Sequence, residues 1–314
     1  MDELFELHPH GLFLRRDAIR LGYDDRDLVR ALRHKQIVRI RQGTYAPAET
    51  WQAADPPGRH LLTAQGVALT HGRRVALSHT TGALAWGLRL WRPDLTKVHV
   101  TRLVGTTGRV QPDVVYHRDA WDPEGVWAQD EHLLLDPVTC ALQAASRTSV
   151  TQGVVILDSL IDLDLGDEDT LSATYATMSR SPFTRRLQVA VRLTRRGAES
   201  VGESLSRDLF FKHHLPEPEL QYKVYDRGRL VGITDFAWPE YGLLGEFDGK
   251  IKYGRLLKPG DDAGEVVFRE KQREDQLREV TGMGMIRYTF GDLYVPLATA
   301  ARTRRMLARP HAAA

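Results

Sequence analysis

The strongest constraint on this chain lies in its last third. Between residues 196 and 314 the text reads as helix (Glu199–His213), three strand-like runs (Glu219–Tyr225, Leu230–Trp238, Leu243–Phe247), a long polar helix (Phe268–Val280) and, after Gly282-Met283-Gly284, a final strand (Met285–Thr289). Runs that alternate or stay apolar over five to nine residues, bounded by Gly and Pro, are strand text, whereas the flanking segments carry helical spacing. The order α, β, β, β, α, β predicts a sheet with helices packed on it. Acids sit inside two of the apolar strands. Ile233-Thr234-Asp235-Phe236-Ala237 is followed eleven residues after Asp235 by Glu246-Phe247-Asp248-Gly249-Lys250. Strand side chains alternate, so Glu246 and Asp248 share a face, and a hairpin pairing of the two strands brings Asp235 beside Glu246. Such carboxylates repel unless a cation compensates them. Mg²⁺ suits that task, because it is held by one or two carboxylates plus water and phosphate oxygens, and Mn²⁺ is a natural substitute. At a phosphodiester the ion would polarise the phosphate and activate water. Glu203, on the preceding helix, is a further carboxylate in range. The plainer reading of the same acids is solvation, or pairing with Arg.

The amino end has a different character. Helical spacing over Leu12–Leu21 stops at Gly22, Asp24 or Asp25 can cap a second helix through about Lys35, and Ile37-Val38-Arg39-Ile40-Arg41, Gln42-Gly43, Thr44-Tyr45-Ala46 reads as a β-hairpin. Helix, turn, helix and hairpin outline a winged helix-turn-helix over residues 1–50. No acid occurs from Leu28 to Ala48, while Arg30, Arg33, Lys35, Arg39 and Arg41 are all basic. In a winged helix the second of these helices lies in the major groove and the hairpin touches the backbone. These five residues are therefore the candidate DNA contacts. The bland alternative is a solvated basic face.

The whole chain balances 43 Lys+Arg against 41 Asp+Glu, which excludes a uniformly basic DNA-coating protein but not a local basic surface. One cysteine, Cys140, leaves no disulfide framework within a chain and reads as core. No run of apolar residues is long enough to cross a membrane and no leader is visible, so a cytoplasmic protein is expected. Residues 51–195 mix helical stretches (Leu61–His71, Ser78–Leu88, Pro137–Ser146, Gly153–Leu163, Glu168–Met178) with strands (Lys97–Arg102, Val114–His117) and show no evident chemistry. There, Ser78 reads as a helix cap and His79 as core. The expected fold class is α/β in a multidomain α+β chain: winged helix (1–50), mixed α/β middle (51–195) and αβββαβ domain (196–314).

Two family resemblances attach to these strings. Residues 199–292, with "GITDFAWPE", "LLGEFDGKIKYG", "VVFREKQREDQLREV" and "GMIRYTFGDL", resemble the very-short-patch-repair-type branch of the PD-(D/E)XK nuclease superfamily, whose fold is restriction-endonuclease-like. That resemblance implies catalytic roles for Glu203, Asp235 and Glu246, with Asp235, Glu246 and Asp248 as metal ligands. Asp248 stands where the superfamily usually has lysine, so the cation would come from Lys250 or Lys271. Gln272 and Arg273, on the same helix as Lys271, are further polar residues in that region. Residues 1–120, with "DLVRALRHKQIVRIRQGTYA", "ALSHTTGALAWGL" and "VHVTR", resemble the AbiEi-type antitoxin and regulator family of actinobacteria. That family binds DNA through its amino-terminal winged helix and neutralises a partner toxin.

Two functions follow as expectations. The first is a Mg²⁺-dependent endonuclease that binds DNA, as a homodimer if it cuts both strands, and acts against foreign or phage DNA. The alternative is a non-catalytic transcriptional regulator or antitoxin, with a cognate toxin as partner. A metal-sized gap among the carboxylates favours the enzyme, and a salt bridge filling that gap favours the regulator.

Overall fold

The computed structural model describes residues 1–105, 111–118, 121–129, 131–178, 184–249 and 263–309, with only the backbone described at 184 and 263–271. The fold is mixed α/β and multidomain. Two compact units divide the chain, Met1–Val189 and Ala190–Ala314.

The first unit begins with a winged helix. Helices α1 (Asp2–Phe5), α2 (Arg15–Arg20) and α3 (Asp25–Arg33) accompany a three-stranded sheet of β1 (Phe13–Leu14), β2 (Ile37–Arg41) and β3 (Thr44–Pro47), in the order β1-β3-β2. Helix α3 starts where the sequence says it should. The Asp24 carboxylate accepts from the N–H groups of Arg26 (2.8 Å) and Asp27 (2.9 Å), and Asp27 accepts in return from Asp24 N–H (3.0 Å). Such a reciprocal cap contributes about 1 kcal/mol. Leu28 and Ala31 of α3 are buried with Leu4, Phe13, Ala18, Ile37 and Tyr45. The helix expected over Leu12–Leu21 is shorter. Phe13 and Leu14 pair with Tyr45 and Thr44, and the Asp17 carboxylate accepts from Leu14 N–H (2.9 Å), which fixes the helix start at Arg15. Strand pairing and a cap together override the helical spacing.

The rest of the first unit comprises α4 (Ala48–Ala53), α5 (Pro56–His71), β4 (Val75–Leu77), α6 (His79–Ala85), β5 (Val98–Arg102), β6 (Val114–His117), β7 (Val126–Gln129), β8 (His132–Leu135), α7 (Pro137–Ser146), α8 (Val150–Asp162), α9 (Glu168–Thr177) and α10 (Thr184–Leu193), which leads into the second unit. Five strands form one sheet in the order β6-β5-β4-β8-β7. Only β5 and β6 are legible in the sequence. Strand β4 has three residues, and β8 is Leu-rich text that favours a helix by propensity but pairs with β4 and β7 instead. Cys140 is buried, as expected for core, and desolvation pushes its thiol pKa well up. Ser78 stands at the N-cap of α6 but makes no cap bond; its hydroxyl lies 3.1 Å from His79 Nδ1.

The second unit has α11 (Val201–Lys212), β9 (Glu219–Asp226), β10 (Arg229–Trp238), β11 (Leu243–Asp248), α12 (Ala263–Thr281), β12 (Gly284–Thr289), α13 (Phe290–Leu293) and α14 (Pro296–Leu307). The sheet order is β12-β11-β10-β9, antiparallel except for the parallel β11–β12 pair that α12 connects. A parallel pair needs such a crossover. The core centres on Phe210, whose ring lies 5.3 Å from Phe236, 5.3 Å from Trp238 and 5.2 Å from Tyr288. Tyr288 is fully buried, its hydroxyl 3.0 Å from that of Thr303, and burial pushes its pKa up. Helix α11 lies close on β11, because a Cβ on Gly202 would fall 1.9 Å from the Phe247 ring. Helix α14 is not evident in the sequence; it starts at Pro296 and buries Ala300 and Leu307 in this core.

Candidate functional site

Helix α3 turns Arg30 and Arg33 outward, and Lys35 and Arg39 are also exposed. Arg30 lies 3.2 Å from Asp27 with its side chain 68% exposed. Lys35 has φ +54°, the left-handed turn that ends α3 and starts the wing. Arg41 takes another place. The register of β2 on β3 shifts between Arg39 and Arg41, and this bulge breaks the alternation that put the two on one face. Arg41 is turned inward with its side chain 6% exposed. It donates to Asp113 Oδ2 (2.9 Å), Gln111 Oε1 (2.7 Å) and Thr70 Oγ1 (3.5 Å). Its role is to tie the wing to the five-stranded sheet. Arg41→Ala should therefore destabilise the protein by about 2 kcal/mol in urea unfolding, because it removes the ion pair with Asp113 and leaves Gln111 Oε1 with the Tyr116 hydroxyl (3.0 Å) as its donor, while Arg39→Ala stays within about 0.5 kcal/mol.

The carboxylates of the second unit do approach one another. Phe236 pairs with Gly245 and Ala237 with Leu244, and one further step in that register sets Asp235 opposite Glu246. Asp235 Oδ2 accepts from Phe247 N–H at 2.7 Å. Glu246 is flanked by guanidinium groups. Its Oε1 is 3.7 Å from Arg273 Nη2 and its Oε2 is 3.5 Å from Arg287 Nη2. Arg287 stands beside Glu246 in the parallel β11–β12 register and is also 2.8 Å from Glu274, which lies 2.5 Å from Arg278. Arginines and glutamates thus alternate along α12, β11 and β12. Arg273 also donates to the Ile233 carbonyl.

Glu203 is buried in the first turn of α11, where it accepts from Glu199 N–H (2.8 Å) and the Ser200 hydroxyl (2.5 Å). Asp248 is half-buried at the end of β11. Lys250 lies outside the described residues, and Lys271 is in α12 with a side chain outside them. Among the described residues, no three His, Cys, Asp or Glu side chains gather in a way that could hold a metal ion. The positive charge beside Glu246 comes from the protein. Sequence reasoning pointed to Arg273 through its helix, but missed Arg287. Its only signal was an arginine inside an otherwise apolar strand.

A third cluster had no sequence signal beyond its histidines. His99 Nδ1 lies 2.9 Å from His117 Nε2, and His117 stacks on the buried His79 with ring centroids 3.5 Å apart. His99 N–H donates to Thr81 Oγ1 (2.8 Å), which is 2.9 Å from His60 Nε2; His60 Nδ1 is 3.1 Å from the Leu95 carbonyl. A carbonyl only accepts, so Nδ1 of His60 carries the proton and Nε2 of the neutral ring accepts from the Thr81 hydroxyl. Desolvation, with neighbouring charge from His79, Arg147 and His60, pushes His99 down to about 4. Desolvation also lowers His60, against its bond to Leu95 and the charge of Asp94.

Comparison with known proteins bears on the amino end. Residues 1–48 match the family described as transcriptional regulator, AbiEi antitoxin. Over 90 residues the chain is 34% identical to two uncharacterized proteins of Mycobacterium tuberculosis, MT2308 of strain CDC 1551 / Oshkosh and Rv2248 of strain ATCC 25618 / H37Rv. Each match covers 24% of this chain and 33% of the relative, so the chain spans about a third of the length of these curated relatives. Among solved structures, it is similar to the crystal structure of the RV2827C protein from Mycobacterium tuberculosis at TM-score 0.37 and 17% identity, covering 69% of this chain and 84% of that one. Among the described residues, no helix is long and apolar enough to cross a membrane.

Proposed function

We propose that this chain is a DNA-binding transcriptional regulator of the antitoxin type. The observation that carries this reading is the winged helix itself, with α3 and the wing presenting Arg30, Arg33, Lys35 and Arg39 outward in the segment that matches the AbiEi regulator family. Phosphate contacts from these residues position the module, and α3 reads the groove. A cognate toxin is the protein partner that an antitoxin requires. The pairing of Glu246 with Arg273 and Arg287 supports a non-catalytic second unit. The test is an electrophoretic shift using the duplex upstream of the chain's own coding region, with a scrambled duplex as control. Preferential, salt-sensitive binding is expected. Equal or absent binding to both would overturn the reading.

A nuclease is the second reading, favoured by the αβββαβ order and by the juxtaposition of Asp235 and Glu246. It predicts nicking of supercoiled DNA in Mg²⁺ or Mn²⁺ that EDTA, Asp235→Ala and Glu246→Ala each abolish. Stability separates the readings independently. An acid between two arginines stabilises the fold, so Glu246→Gln should lower it by about 1 kcal/mol, a modest value because both arginines are partly exposed. Carboxylates crowded against one another for a metal would instead gain stability on neutralisation. Thermal unfolding with and without Mg²⁺ reads both.

A further inference from the structure

The outward face of α3 consists of Arg26, Val29, Arg30 and Arg33, spaced three and four apart and all exposed, while Leu28 and Ala31 are buried on the opposite side. Val29 is the apolar member of this face and is 53% exposed. Its β-branched side chain is a poor choice for helix propensity, and it adds little to the core of its own module. The acids of the first turn are already engaged. Asp24 caps the helix, Asp25 is bound by Arg15 at 2.7 and 2.6 Å, and Asp27 bonds Asp24 N–H and lies 3.2 Å from Arg30. The remaining surface is one methyl-bearing side chain framed by three guanidinium groups.

A major-groove edge offers this pattern a match. Guanine presents N7 and O6 acceptors to arginine, and the apolar group displayed there is the thymine C5-methyl. We propose that Val29 is the specificity-determining contact of this protein, packing on a thymine methyl flanked by positions that Arg26, Arg30 or Arg33 reads. This rests on the DNA-binding reading above and adds the base that is recognised.

The test uses the full chain and a pool of random-core duplexes, selected in parallel against the same pool amplified with deoxyuridine in place of thymidine, which removes only the methyl. Wild type should enrich a site with a fixed thymine, and uracil at that one position should weaken binding about fourfold, the worth of one buried methyl. Val29→Ala, which keeps a good helix former at the position, should bind the thymine and uracil duplexes equally. Salt dependence should be the same on both duplexes, because the phosphate contacts are untouched. Salt-dependent binding that is indifferent to uracil at every thymine would overturn the Val29 assignment and leave the DNA-binding reading standing. Retained discrimination in Val29→Ala would overturn it too. Loss of all salt-dependent binding would overturn both.

Discussion

A chain carrying Arg30→Glu and Arg33→Glu is expected to bind duplex DNA about 100-fold more weakly than wild type at moderate salt. Both guanidinium groups lie on the exposed face of α3, two residues on from buried Leu28 and Ala31 respectively and so turned to the opposite side of the helix, outside the core of the module. The physical cause is counterion release. Each phosphate neutralised by the protein frees close to one condensed cation, and the slope of log K against log salt counts them. The neutral pair Arg30→Gln/Arg33→Gln should therefore reduce that slope by about two units. Reversal adds repulsion to the loss, and at position 30 it sets a new acid beside Asp27. Fluorescence anisotropy across a salt series measures both quantities. An unchanged slope would place the DNA-binding surface elsewhere. Arg41 provides the internal contrast: buried against Asp113, it should alter stability with little effect on the slope.

The second large effect is acid sensitivity of the first unit. His99 titrates at about 4 in the folded protein against 6.5 for the ordinary side chain, because desolvation and nearby positive charge disfavour the imidazolium. Between these values the unfolded chain binds a proton that the folded chain does not. Stability is therefore full above about pH 6.5 and is lost as pH falls toward about 4. From about pH 7.5 to about pH 5, before most carboxylates titrate, this one group should remove about 2 kcal/mol. His60 and His71 are shifted in the same direction and add to the loss. Protonating His60 also removes the Nε2 lone pair that accepts from Thr81. Urea midpoints across this range should fall steeply in wild type and less in His99→Gln. A flat wild-type profile would show that the cluster opens to water.

Much of the architecture was legible because local chemistry spells it out. The Asp24 cap, the Gln42-Gly43 turn between β2 and β3, and the strand text of β9 to β12 depend on neighbours in sequence. Turn chemistry and alternation survive in almost any tertiary setting. Elements that depend on distant partners were missed. Strands β4, β7 and β8 are short and become strands only by pairing with one another and with β5. Helix α14 is largely Ala, Thr and Arg, and its few apolar residues matter only once the Phe210 core is present.

The candidate sites divide along the same line. Sequence alone determined which residue types meet: acids inside apolar strands at 235 and 246, and a basic helix and wing without acid from 28 to 48. Those follow from period and composition. Tertiary structure decided which charges face water and which face one another. A single bulge in β2 sends Arg39 outward and Arg41 onto Asp113, and a parallel register sets Arg287 beside Glu246. Neither outcome can be read from spacing, because electrostatic pairing falls off with distance in space, and residues far apart in the chain become neighbours only when the sheet forms.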